Sequence, residues 1–248
     1  MIRQAVIHAA GKGTRLRTSD DDLPKPLHVV GGMPLIKRTI MTLAAAGVTK
    51  VVVVTGFRAE QIRATLDGDP AYREAGVEIV LVHNAEFEKA NGISVLVGGG
   101  ALTGPFMLSM ADHMYTPAIA KLVASQDMSQ ADLYLATDVR TADILDLDDA
   151  TKVKSDGGFI VDIGKQLTAF DRIDCGVFCV SPRLLEMLAA VRAEKGDCSL
   201  TDGVRQLALA RRAQVADIGD ELWQDVDTPA DRDHAETVFA GHDPLAPT

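Results

Sequence analysis

Between His8 and Leu27 the chain reads HAAGKGTRLRTSDDDLPKPL, placing two glycines, two arginines and two lysines in one loop. Gly11 and Gly13 permit a tight backbone path whose N–H groups can face anionic oxygens, with Lys12 and Thr14 between and after them. Ala9 and Ala10 leave room for a flat base against the backbone. Arg15 offers a planar fork for two oxygens, and Lys25, flanked by Pro24 and Pro26, a point charge on a stiffened turn. Together these residues suit a polyphosphate. Downstream, SMADHMY carries Asp112, a carboxylate of the kind that holds magnesium, which takes one or two carboxylates and fills its octahedron with water and phosphate oxygens.

For such groups to meet, the elements carrying them must end at a common edge. QAVIHA (4–9) reads as a buried strand running straight into the glycine loop. MPLIKRTIMTLAAAG reads as a helix with Pro34 in its first turn, Leu35, Ile36, Ile40 and Leu43 on one face and Gly47 at its end. KVVVVTG is a continuous apolar run, as in a parallel strand covered on both faces. A helix near 58–66, a strand at 77–83, a helix at 94–102, a strand at 105–110, a helix near 117–126 and the strand DLYLAT follow. This alternation predicts an α/β fold: a Rossmann-like, mostly parallel open sheet flanked by helices, with ligands beyond the carboxyl ends of the strands. The glycine loop and Asp112 both fall at such ends, as does Gly56, which would let a nucleotide approach the second strand.

After about residue 150 the rhythm changes. SDGG between two alternating runs predicts a hairpin, and DCGVFCVSP a further strand. Helices near 182–194 and 200–212, a strand near 214–218 and a closing helix begun by Thr228 and Pro229 complete the chain. With no linker or repeat, residues 1–248 read as one domain whose halves, 1–150 and 151–248, differ in rhythm, the second carrying the antiparallel subregion.

Composition narrows the function classes. The formal charge of −10 over 248 residues argues against sequence-independent binding to nucleic acid or an anionic membrane. No apolar run approaches the ~20 residues of a membrane span, and the apolar stretch at the N-terminus is too short for a signal peptide. Cys175, Cys179 and Cys198 have no metal-site spacing and read as buried thiols. A cytoplasmic location is the expectation.

Three phosphate-binding loops compete for the first turn. A P-loop fails because Val6 stands where its first glycine belongs. A dinucleotide fingerprint fails at Leu16, and Thr55-Gly56 supplies no acidic residue for a ribose. The third, A-A-G-x-G-[ST]-R-[LM] followed by P-K-P, matches. AAGKGTRL…LPKPL resembles the signature of nucleotidyltransferases that join a nucleoside monophosphate to a sugar phosphate or related phosphate, the MobA-like NTP transferases among them. KANGISVL (89–96), SMADHMY (109–115), ATKVKSDGGFIVDIGKQL (150–167), FDRIDCGVFCVSP (170–182) and GDELWQDVDTPAD (219–231) extend the resemblance, over nearly the whole chain, to cytidylyltransferases acting on inositol 1-phosphate. His8 and Ile93 depart from that pattern, where leucine and tyrosine are usual. Some relatives are fused to a membrane-embedded transferase, which is not expected here.

The resemblance implies attack of an acceptor phosphate on the α-phosphorus of a nucleoside triphosphate, with Mg2+ as cofactor and small molecules as partners. It implies Arg15 and Lys25 as catalytic residues and Asp112 with Asp227 as metal ligands; alternation was expected to turn Asp225 away. Asn91 and Ser94 would read the base or ribose, Lys152 and Lys165 would meet the acceptor's phosphate, and Asp138, Asp174 and Gly176 would face its hydroxyls. Trp223 is expected to pack. Phosphocholine or a hexose 1-phosphate with UTP or dTTP are alternative acceptors, though aromatics at 4% supply a quaternary-ammonium cage poorly. A catalytically silent nucleotide sensor is the alternative of another class.

Overall fold

A computed structural model describes residues 1–16 and 23–240. The tract 17–22 in the middle of the glycine loop lies outside it; Arg15 and Lys25 lie within. One nine-stranded sheet takes strands from both halves of the chain. They are β1 (Gln4–Ala9), β2 (Lys50–Thr55), β3 (Glu78–His83), β4 (Phe106–Met110), β5 (Leu133–Asp138), β6 (Lys152–Asp156), β7 (Phe159–Gly164), β8 (Arg172–Val180) and β9 (Ala213–Asp217). Their spatial order is β3-β2-β1-β4-β8-β5-β9-β7-β6. The first four run parallel, as do β5 and β9.

The strand predicted at DCGVFCVSP is inserted in the middle of the sheet, a position no local signal indicates. As β8 it runs antiparallel to both β4 and β5. Its orientation matters: the amino end of β8 arrives at the same edge as the carboxyl ends of β1, β4 and β5. Asp174 therefore reaches the ligand edge. Between Asp174 and Phe178 the β8–β5 register shifts, and Gly176 there has φ +73°. A bulge of this kind re-aims side chains beside a site.

Helices cover both faces. Those of eight residues or more are α1 (Leu35–Ala45), α2 (Ala59–Leu66), α3 (Gly92–Gly99), α4 (Pro117–Ala124), α5 (Arg183–Lys195), α6 (Leu200–Leu209) and α7 (Pro229–Val238). The four valines of β2 are fully buried because alternate ones enter opposite cores. Ala5, Ile7, Val51 and Val53 pack with Ile36, Ile40, Leu43 and Ile119, while Val6, Val52 and Val54 pack with Ile93, Leu184, Leu188 and Val204. Pro34 sits just before α1 rather than inside its first turn. The SDGG hairpin forms as expected, with Gly157 and Gly158 at positive φ joining β6 to β7. A short antiparallel ribbon, unforeseen in sequence, pairs His113–Tyr115 with Trp223–Asp225 and carries the end of the chain back to the Asp112 loop.

Candidate active site

The glycine loop and the P-K-P turn meet because Gly13 has no side chain. Its φ is +57°, and a Cβ there would lie 2.4 Å from the Cβ of Lys25. Gly13 thus serves the close approach of Lys25 as well as the turn. Gly11, by contrast, faces open space. Lys25 begins a single 3-10 turn, Lys25–Leu27, and is buried to 7% exposure. Its ammonium donates to Asp112 Oδ2 at 2.7 Å and also to Asp227 Oδ1. Burial opposes the charge on Lys25, but Asp112 and Asp227 outweigh it and raise the pKa. Burial likewise resists ionisation of Asp112. Lys25 and His113 overcome it and hold the carboxyl well below its usual range.

Asp227 is placed by the cap of α7. Thr228 accepts from the Asp231 N–H, while Asp231 Oδ2 accepts from the N–H groups of Thr228 and Asp227. This capping box fixes the backbone at Asp227. Asp225 was expected to turn away, but it lines the same cavity as Asp227. Residues two apart along an extended chain share a side, so period-two alternation brings them together; the fully buried residue is Val226. Burial and the neighbouring charges of Asp227, Asp112 and Asp231 raise the pKa of Asp225, partly offset by His113.

Two cavities, of ≈ 300 and ≈ 290 Å³, meet along a wall of His8, Arg15, Asp112 and Asp227. The smaller is the glycine-loop cavity, lined by Ala9, Gly11, Gly13, Thr14 and Lys25. The larger contains Asn91, His113, Asp149, Lys165, Asp174, Gly176 and Trp223. Arg15 bridges them, donating from Nη1 to Asp149 Oδ2 (2.7 Å) and from Nη2 to Asp227 Oδ2 (2.6 Å). His8, the first of the two departures from the family pattern, forms part of the shared wall. Burial lowers its pKa despite Asp112, so its imidazole is neutral at pH 7.

Several expected contacts fall elsewhere. Ala10 is buried, its carbonyl accepting from the Phe57 N–H. Lys12 points outward to Glu88 at 2.5 Å. Gly56 lines neither cavity, and a Cβ there would meet Phe87 and the carbonyl of Ala10, so its lack of a side chain serves packing. Ser94 is buried and accepts from Asn84 Nδ2 at 2.8 Å, outside both cavities. Asn91 does line the larger one, while its Oδ1 ties the start of α3 to the Leu200 N–H of α6. Ile93 belongs to the core.

Lys152 is also buried, its ammonium spent on the carbonyls of Asp148, Ala150 and Lys165. Of the two lysines expected at the acceptor's phosphate, Lys165 alone faces the cavity. Asp138 lies behind Trp223 with its oxygens committed to Arg140 and to Trp223 Nε1. It supports the wall instead of facing a hydroxyl. Trp223 packs as expected, stacked on His113 with the rings 16° apart in plane.

Asp174 and Gly176 reach the larger cavity. Burial raises the Asp174 pKa to about 6, against the opposing pull of the Gly176 N–H and His113. Gly176 is needed by its neighbour, because a Cβ there would lie 2.4 Å from the His113 ring. His113, Asp149 and Asp225 are among the lining residues that sequence reasoning did not assign to the site. His113 Nδ1 bonds Asp112 Oδ1 at 2.8 Å. Burial opposes its charge, but Asp112, Asp225 and Asp174 raise its pKa to about 9. Adjacency to Asp112 was the available signal. Asp149 had none, with Arg15 134 residues away in sequence and Lys165 16.

The fold that carries this cleft is shared with known proteins. Residues 5–210 match the MobA-like NTP transferase domain. The chain belongs to that family. A bifunctional IPC transferase and DIPP synthase of Rubrobacter xylanophilus is 33% identical over 96% of this chain and 52% of its own. The chain thus spans about half the length of such relatives. A UTP–glucose-1-phosphate uridylyltransferase of Haloferax volcanii is 29% identical, covering 94% of this chain and 95% of its own. The structure of the inositol-1-phosphate CTP transferase from T. maritima superposes with TM-score 0.80 at 27% identity, covering 97% of both chains. Among the described residues no helix is long and apolar enough to cross a membrane.

Proposed function

We propose that this nucleotidyltransferase transfers CMP from CTP to inositol 1-phosphate, giving CDP-inositol and pyrophosphate. The observation that carries the reading is the seam: two cavities meet where Arg15, Asp112 and Asp227 converge, beside Lys25. Two phosphorylated substrates, one in each cavity, would bring their reacting phosphates together there. The match to the CTP transferase over 97% of both chains supports the choice of base and acceptor. The chain would then act as a single domain, its first 150 residues supplying most of the nucleotide cavity and the remainder most of the acceptor side, with His113 and Asp149 crossing to the acceptor cavity and Asp227 to the nucleotide cavity.

An oxygen of the acceptor phosphate attacks the α-phosphorus; the bond to the β-phosphate breaks and pyrophosphate leaves with the electron pair. The nucleophile is already an anion, so no side chain need remove a proton. Catalysis is positioning and neutralisation of charge. Arg15 offers its fork to phosphate oxygens at the seam, Lys25 meets the α-phosphate, and Lys165 the acceptor's phosphate. Asp174, Asp225 and His113 face the polyol.

Asp112 and Asp227 both bond one ammonium, so their carboxylates converge on a single cation-sized position. A two-carboxylate donor set fits Mg2+, whose remaining positions take water and phosphate oxygens. Among the described residues no group of three or more His, Cys, Asp or Glu forms a fuller cage. Bound there, Mg2+ would neutralise charge on the polyphosphate. Lys25 would turn from these carboxylates to the substrate.

Pyrophosphate release tests the reading, with CTP, UTP, dTTP, GTP and ATP crossed against inositol 1-phosphate, phosphocholine and glucose 1-phosphate in the presence of magnesium. Release with CTP and inositol 1-phosphate alone is expected. Release with UTP and glucose 1-phosphate, to which the Haloferax relative points, would keep the chemistry and discard the substrates. Silence from protein that still binds nucleotide would favour a regulatory sensor.

A further inference from the structure

The Arg15–Asp149–Lys165 bridge lines the acceptor cavity and sets one anion between two cations. Asp149 places one oxygen on each of two cations from distant parts of the chain: Oδ2 on Arg15 Nη1 and Oδ1 on Lys165 Nζ, both at 2.7 Å. All three side chains line the larger cavity. A carboxylate so placed presents two anionic oxygens to two cations, as a phosphate monoester would.

The backbone around Asp149 is tied down. Lys152, buried, donates to the carbonyls immediately before and after it, those of Asp148 and Ala150, at 3.3 Å each. The same ammonium donates to the carbonyl of Lys165 at 2.8 Å. One buried lysine therefore joins the segment carrying the anion to the residue carrying one of its cations. The Asp149 N–H also donates to Asp146. With the chain anchored on both sides, the carboxylate leaves its cations by rotating its side chain rather than by moving the loop.

We propose that Asp149 is a resident counter-anion that holds the acceptor-phosphate position, so that a phosphate monoester binds by exchange with this carboxylate. The proposal rests on the reading that Arg15 and Lys165 meet phosphate. It makes Asp149 a specificity-determining residue. A doubly charged phosphate gains more from the two cations than the single charge it displaces, whereas a carboxylate or a singly charged ester gains no such advantage. Selection for phosphate over weaker anions then comes from competition inside the protein.

Calorimetric titration with inorganic phosphate at pH 8 tests the exchange on the full chain. Two partly exposed ion pairs are at stake, so Asp149→Asn should bind phosphate about tenfold more tightly than the wild type. Asp148→Asn removes the same charge from an exposed neighbour whose carbonyl, not its side chain, is used, and should stay within about twofold. Adding Lys165→Gln to Asp149→Asn should abolish the gain. With saturating CTP, Asp149→Asn should also lower KM for the acceptor.

Equal or weaker phosphate binding by folded Asp149→Asn overturns the proposal, as does an equal gain in Asp148→Asn or a gain that survives loss of Lys165. Thermal unfolding checks the fold, and Asp149→Ser provides a second variant lacking the charge. Should the wild type release no pyrophosphate with any substrate pair, the proposed reaction fails, while the phosphate titration still reports on the exchange.

Discussion

Replacing Lys25 by methionine keeps the length of the side chain and removes its charge. In the native structure that ammonium lies 2.7 Å from Asp112 Oδ2 and also bonds Asp227. At an effective dielectric of ~20, one such contact is worth roughly 6 kcal/mol before desolvation is charged against it. Breaking a fully buried pair costs about 3–5 kcal/mol. The two carboxylates keep 30% and 19% of their side-chain surface in solvent, so water screens part of the loss and about 2–3 kcal/mol is the better expectation. For a chain of this size that lowers Tm by about 4–12 °C.

The deficit has a pH signature. Native Asp112 is held below its ordinary pKa, so the stability its ionisation confers is present above the unfolded value near ~3.9 and lost as pH falls through the native one. The gap between variant and wild type is therefore full at pH 7 and closes in acid below about pH 4. Magnesium should raise the Tm of the variant more than that of the wild type, since the ion meets two carboxylates without a competing ammonium. Pyrophosphate release should nonetheless fall by at least ~10²-fold, because charge stabilisation in the transition state is lost. Turnover within tenfold of wild type, or equal magnesium shifts in the two proteins, would refute the reasoning.

Three further outcomes follow from the same geometry. Asp174, with a pKa of about 6, destabilises the fold as pH rises from about 4 to 6; Asp174→Asn should stabilise the protein at pH 7 by at most about 3 kcal/mol and lose that advantage near pH 4, and equal denaturation shifts at both pH values would count against it. Gly176→Ala forces an L-residue to φ +73° and a Cβ into the His113 ring, so stability should drop by at least about 1–2 kcal/mol and turnover tenfold or more; wild-type kinetics would show that the ring does not need its place. Lys152→Met strands three carbonyls and should cost about 2–3 kcal/mol together with a raised acceptor KM. A KM effect with unchanged Tm would instead restore Lys152 to direct phosphate contact.

The parallel half of the fold was legible because its signals are local. Four consecutive valines, a proline-started helix and glycine stops each report their own element. The glycine loop was legible for the same reason. What stayed hidden depends on pairing between distant segments. Nothing within DCGVFCVSP says that β8 enters the middle of the sheet in reverse, yet that reversal brings Asp174 to the cavity. Residue type also said little about whether a charge was free. Lys152 and Lys165 look alike in sequence; one is buried among carbonyls and the other faces the cavity. Asp138 and Asp174 differ in the same way, because Arg140 and Trp223 claim the first. The Asp225 error was of another kind, since alternation, correctly applied, places residues two apart on one side.

On the proposed reaction, an acidic protein that gathers two polyanions faces a conflict, and the pairing within the site resolves it. Arg15, Lys25 and Lys165 cannot stand unpaired in a partly desolvated cleft without cost, so each is held by an aspartate, and Asp227 is shared by two of them. The cations are thereby kept in position without substrate. The cost is competition, since every phosphate must displace a carboxylate. At Asp112 and Asp227 a metal ion can take over the freed carboxylates, so the displacement is compensated. Asp149 has no such second partner, and its release has to be driven by the incoming phosphate itself. The acceptor side of the cleft should therefore respond more strongly than the nucleotide side to the charge a ligand carries. A comparison of phosphate and CTP affinities between pH 5.5 and 8 should show the steeper rise for phosphate as its second proton leaves.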